Sequence, residues 1–262
     1  MARIIVITSG KGGVGKTTVT ANLGYRLAAM GRRVCLVDAD FGLNNLDEAA
    51  GVENLVVYDV VDCIEGRCRL KQALVESPLK KNLFVLPSAH SFARSQVDAN
   101  SFNELIGGLS SSFDYVLIDC PAGVGGGFHK AVTSSDEAII VTALHLSALR
   151  DADKVLGIVK SYSLKKVSLV VNMVRGDLVA DKSIISPEKT EDVLKTELIG
   201  VIPSEDCIFL NGAARLPADS GAYKAFKMLA ANVDKNKNKI YNYSADYVGF
   251  LGSIRRGLKR TL

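Results

Sequence analysis

The chain has 262 residues, 48% of them hydrophobic and 23% charged, so it is long and apolar enough for one sizeable core and is not largely disordered. A formal charge of +4 is too small for a nucleic-acid coat protein, so where the basic residues sit matters more than their sum. No apolar stretch reaches membrane-spanning length, and the five cysteines and three histidines show no CxxC pair and no zinc or iron–sulfur spacing. Reduced thiols in a cytoplasmic protein are the expectation.

The first predicted element is the β-branched run "RIIVIT", which starts too early to leave room for a signal peptide. "SGKGGVGKTT" follows and satisfies GxxxxGK[ST] as Gly10, Gly15, Lys16 and Thr17, with a helix starting near Lys16. Gly12, Gly13, Val14 and Gly15 turn backbone N–H groups inward around an anion, and the helix directs the positive end of its dipole at the same point. Lys16 reaches the β- and γ-phosphates, Thr17 ligates Mg²⁺ through its hydroxyl, and Thr18 completes a phosphate site spanning Gly12–Thr18. ATP and Mg²⁺ are the implied cofactors.

Next comes "RVCLVDAD", whose Asp38 and Asp40 share the face of a strand tip because side chains alternate with period two. Either could orient an attacking water or a magnesium-bound water, with Asp40 preferred for the attacking one. "NLFVLPS" precedes "DYVLIDCPAG", where Asp119 follows four apolar residues as a second magnesium element, acting directly or through water. "EAIIVTA", "KVSLVVNMV" and "LIGVIP" complete seven near-continuous apolar strands, separated by helix-length segments such as 17–30 and 147–162. Repeated βα units of this kind predict an α/β, doubly wound, mostly parallel sheet with helices on both faces.

Residues 1–232 read as this ATPase domain and 233–246, "VDKNKNKIYNYSAD", as a polar linker. In the tail 247–262, Tyr247, Phe250, Leu251, Ile254, Leu258 and Leu262 follow helical spacing, while Arg256, Lys259 and Arg260 lie around the other side and Arg255 sits at the stripe's edge. No acidic residue follows Asp246. This is the pattern of a basic amphipathic helix lying in an anionic membrane interface.

A lysine five residues before the P-loop lysine is unusual, and "KGGVGKT" resembles the deviant Walker A motif of the MinD/ParA family of P-loop ATPases. The resemblance extends through "DADFGLNNLD", "DCPAG", "LRDADKVLGI", "VVNMV" and "LIGVIPSED", covering nearly all of residues 2–232. It implies an ATP-dependent homodimer in which Lys11 reaches the partner's nucleotide, Asn45 as a switch residue, Asn172 as the adenine-reading residue and "LIGVIPSED" as the loop closing over the base. It also implies an ATP hydrolase with a role in septation, peripheral on the inner face of the cell membrane, partnered by a MinC-like division inhibitor and a MinE-like or other topological regulator. No nucleic acid is expected on this reading. A ParA-like partition ATPase on DNA and a nucleotide-gated scaffold with negligible turnover are the alternatives. The chain departs from the family at Leu144-His145, where Pro-Glu is usual, at Gly176, where Pro is expected, and in "SAHSFARSQVDA"; His145 reads as a turn residue.

Overall fold

A computed structural model describes residues 1–41, 45–89, 97–211, 216–249 and 252–253. In chain order β1 (Arg3–Thr8) leads through the glycine loop into α1 (Lys16–Ala29) and β2 (Val34–Asp38). The short helices α2 (Leu46–Ala50), α3 (Val60–Ile64) and α4 (Leu70–Ala73) precede β3 (Val75–Glu76), β4 (Leu83–Leu86) and α5 (Ala99–Leu109). Then come β5 (Tyr115–Asp119), α6 (Gly126–Thr133), β6 (Glu137–Thr142), α7 (Leu146–Val159), β7 (Lys166–Val174) and α8 (Gly176–Ala180). α9 (Pro187–Leu194), β8 (Leu198–Pro203), α10 (Asp206–Asn211) and α11 (Gly221–Lys235) follow.

The strands form one sheet in the order β3-β4-β2-β5-β1-β6-β7-β8. All seven strands read from sequence are present and parallel to one another, because each is buried on both faces and can only be joined by crossover connections. The eighth, β3, is two residues long and antiparallel at the edge, too short for any periodicity to reveal. Alternate residues feed two cores. Ile5, Ile7, Leu36 and Leu117 pack against α1 and α11, and Val6, Val37, Val116 and Ile118 pack against the opposite face with α5 and α6.

The chain leaves β1 toward β2 on one side and reaches β6 on the other, so the carboxyl ends of β1, β2 and β5 open at a topological switch point, where doubly wound sheets bind ligands.

The segment read as a linker is docked. It begins as the last turn of α11, which Asn236 ends in the left-handed conformation at φ 48°, and beyond it Ile240, Tyr241 and Tyr243 pack against the two cores. Its lysine-rich composition hides this, since three apolar anchors suffice to hold it. No described helix is long and apolar enough to cross a membrane. The predicted membrane residues Phe250, Leu251, Ile254, Arg256, Leu258 and Lys259 lie outside the described residues, as does most of the "SAHSFARSQVDA" loop.

Candidate nucleotide site

The loop between β1 and α1 turns through Gly13 at φ 78° and Gly15 at φ 86°, a region that costs a side-chain-bearing residue about 1 kcal/mol or more. Gly15 is needed twice over, because a Cβ there would also overlap the Asn172 amide nitrogen. The first turn of α1, Lys16-Thr17-Thr18-Val19, holds no acidic side chain of its own, and its N–H groups and dipole face the cleft. The cleft has a volume of about 690 Å³ and is lined by Gly12, Gly13, Gly15, Lys16, Thr17, Thr18, Asp40 and Asn45 among others. Lys16 is 9% exposed.

Asp119, at the end of β5, is buried and accepts hydrogen bonds from Thr17 Oγ1 at 2.6 Å and Thr20 Oγ1 at 3.0 Å. Burial raises its pKa to about 6 against the lowering effects of the Thr17 hydrogen bond, the Lys16 charge and the Thr20 hydrogen bond. A carboxylate and a hydroxyl 2.6 Å apart, beside a lysine and a helix N-terminus, form an oxygen donor set suited to Mg²⁺ next to phosphate. Thr20 escaped sequence reading; its signal is the i, i+3 spacing from Thr17, which puts both hydroxyls on one helix face.

Asp38 and Asp40 part company. β2 ends at Asp38, and the chain turns so that Asp38 Oδ1 accepts the Asp40 N–H at 2.8 Å and Oδ2 the Leu46 N–H at 3.3 Å. The period-two argument for a shared face therefore stops one residue short. Asp38 is enclosed beside Asp119, its register partner on β5, and burial followed by that neighbouring charge pushes its pKa well up. Asp40 is half-buried on the cleft wall, with its pKa raised by burial and held down by Lys16.

Lys11 is turned away from this cleft. Its ammonium donates to Ser147 Oγ at 2.9 Å, at the start of α7. Ser147 in turn lies 3.1 Å from His145 Nδ1, which accepts the Ala148 N–H as the helix N-cap. His145 is thus a turn and capping residue, and Ser147 is a contact that sequence reading did not single out.

Asn172 is buried in β7, and its Nδ2 donates to the Val14 carbonyl at 2.9 Å. A register irregularity between Val171 and Val174, with Met173 at φ 57°, turns the strand here. Asn172 Oδ1 has no partner among the described residues. A buried amide oxygen without a donor costs about 1–3 kcal/mol, and the exocyclic amine of an adenine would satisfy it. Beside it lies a water-sized cavity of about 20 Å³ lined by Thr18, Asn172, Pro203, Ser204, Glu205 and Ile208; Pro203, Ser204 and Glu205 belong to the "LIGVIPSED" loop, and Ile208 lies beyond it.

A protein-family profile described as an AAA domain matches residues 2–171. The septum site-determining protein MinD of Synechocystis sp. is 41% identical over 263 residues, 98% of this chain and 99% of its own length. The chain belongs to the MinD family. The MinC:MinD cell division protein complex of Aquifex aeolicus superposes with a TM-score of 0.84 at 37% identity, covering 92% of this chain and 99% of that one. A MinD of Pyrococcus horikoshii in complex with Mg-ADP gives 0.82 at 35% identity, covering 90% of this chain and 97% of that one.

Proposed function

We propose that the chain is an ATP-dependent dimerising ATPase that associates with the membrane and helps place the division septum by recruiting a MinC-like inhibitor there. The observation that carries this reading is the cleft itself, with Lys16, Thr17 and Asp119 converging at the N-terminus of α1 in a MinD-family chain. Mg²⁺, held by Thr17 Oγ1 and, directly or through water, by Asp119, supplies positive charge against the phosphates. Lys16 neutralises its own nucleotide's phosphates, and the P-loop amides hold them in place. Asn172 Oδ1 reads the base amine. Asp40, on the cleft wall, takes a proton from the attacking water and positions it.

Lys11 completes the partner's site. In the monomer its ammonium rests on Ser147, and the neighbouring subunit's nucleotide draws it across, so turnover requires two chains. The tail 247–262 then lies in the anionic leaflet, and a MinE-like regulator triggers hydrolysis and release.

The test is sedimentation with anionic liposomes in ATP and in ADP, together with phosphate release with and without liposomes and a regulator. Binding in ATP only, with stimulated release, is the expected result. Binding to DNA but not liposomes would replace the reading with a partition ATPase, and absence of turnover under every condition would replace it with a scaffold.

A further inference from the structure

Residues 237–247, polar in composition, are stitched to the edge of the sheet. Asn232 on α11 donates through Nδ2 to Ile199 O of the edge strand β8 and to Lys239 O, both at 2.9 Å, and its Oδ1 accepts the Lys239 N–H at 3.2 Å. Further on, Tyr243 donates to the Glu188 carboxylate at 2.8 Å. The Tyr243 backbone then passes so close to the exit of β7 that a Cβ on Gly176 would overlap its carbonyl oxygen, with the Tyr247 ring 3.0 Å away. Proline at this position would meet the same obstacle, so the glycine is what lets the segment cross there.

The same segment reaches Gly221 at the start of α11, next to a residue that lines the cavity beside Asn172. Glu205, which lines that cavity, accepts the Gly221 and Ala222 N–H groups at 3.0 Å each, fastening the loop after β8 to the first turn of α11. The Tyr241 hydroxyl and Glu205 Oε1 both press on Gly221, where a Cβ would overlap each of them. The charge of Glu205 adds to burial in raising the Tyr241 pKa, which is a second sign of their proximity.

We infer that residues 237–247 form a strap whose Tyr241 positions Glu205 and hence the loop 203–208, so that binding a base beside Asn172 and seating the strap favour one another. Tyr241 is on this view a positioning residue for nucleotide, acting through Glu205. The inference rests on the reading of Asn172, with its unpartnered Oδ1, as the residue that meets the base. Coupling between two such events is reciprocal, and a coupling of typical size changes affinity by roughly 5–150-fold.

The experiment uses the full chain, Mg-ADP as probe, and backbone hydrogen exchange. Gly176→Ala drives the Tyr243 backbone off its seat, and Tyr241→Ala removes the ring without touching the β7 exit, so a folding failure of one variant leaves the other. In nucleotide-free protein both variants should speed exchange in 237–247 and also in 203–208, while α5 stays as protected as in wild type. ADP affinity should fall roughly tenfold, and in wild type ADP should slow exchange of the strap by a similar factor, as reciprocity requires. Faster exchange confined to 237–247, with 203–208 and ADP affinity unchanged, would overturn the inference. Failure of wild type to bind ADP would instead overturn that reading of Asn172, and the nucleotide-free exchange of 203–208 would still decide whether the strap positions the loop.

Discussion

Asp38 and Asp40 stand two residues apart and are separated by what their oxygens touch. Asp38 spends both on backbone N–H groups of the turn that follows β2, whereas Asp40 faces the cleft. Asp38→Ala should therefore act on stability: two enclosed N–H groups lose their acceptor at about 1–3 kcal/mol each, partly offset because an unfavourably buried carboxyl is removed, and thermal denaturation measures the loss. Asp40→Ala should leave the melting temperature and ATP binding nearly unchanged and lower stimulated phosphate release by roughly 10²–10⁴, the range for a lost general base. Unchanged turnover in Asp40→Ala would move the role elsewhere. Asp119 gives a pH signature. Its folded pKa of about 6 lies above the ordinary 3.8, so the native state binds the proton more tightly than the unfolded chain between those values. This group's stabilisation of the nucleotide-free protein is fully present below pH 3.8 and lost as pH rises through 6, a change of roughly 3 kcal/mol. Asp119→Asn should flatten that part of the stability profile. The metal needs the deprotonated form, so the Mg²⁺-dependent part of nucleotide affinity should weaken as pH falls through about 6, as titration calorimetry can follow.

At the scale of elements, the site is a junction between the β1–α1 loop and β7. Gly15 and Asn172 interlock: the glycine leaves room for the amide, and the amide satisfies the loop's Val14 carbonyl. Gly15→Ala meets both a left-handed φ and that overlap, so it should cost about 1–3 kcal/mol of stability and reduce ATP affinity by at least ~10², because the loop amides no longer converge. Asn172→Ala should instead keep phosphate binding and lose the preference for ATP over GTP, which competition binding would read. In the tail, Ile254→Glu puts a charge in the apolar stripe and should abolish liposome sedimentation while leaving the ATP dimer intact. Full membrane binding by that variant would remove the amphipathic-helix reading.

At the largest scale, the functional unit on the proposed reading is two copies of the chain. If the tail lies on a membrane as proposed, Arg255, Arg256, Lys259 and Arg260 would together contribute roughly 4 kcal/mol near an anionic surface, and ordering a glycine-containing tail would offset much of what its apolar residues add. One tail is marginal. A dimer presents two, and the second binds at an effective concentration near millimolar once the first is anchored, raising avidity by roughly 10² or more. Lys11→Ala should spare monomer nucleotide binding, since its ammonium rests on Ser147 and not in its own cleft, yet abolish the ATP dimer on size-exclusion chromatography and with it ATP-dependent liposome binding. Normal dimers in Lys11→Ala would defeat the two-lysine account. Equal liposome binding in ATP and ADP would defeat avidity.

By itself the sequence determined the seven parallel strands, the phosphate loop and the helix behind it, because a strand buried on both faces and a glycine turn before a helix each leave a local signature. Lys16, Thr17 and Asp119 were legible for the same reason: each stands at a fixed offset from such an element. Tertiary structure decided what depends on contacts across long stretches of chain. It separated Asp38 from Asp40, because a strand's alternation ends where its ladder ends, and it added Thr20 to Asp119 across 99 positions. It also turned a lysine-rich linker into a docked segment, because its hydrogen bonds and its close pass over Gly176 depend on partners that composition cannot reveal.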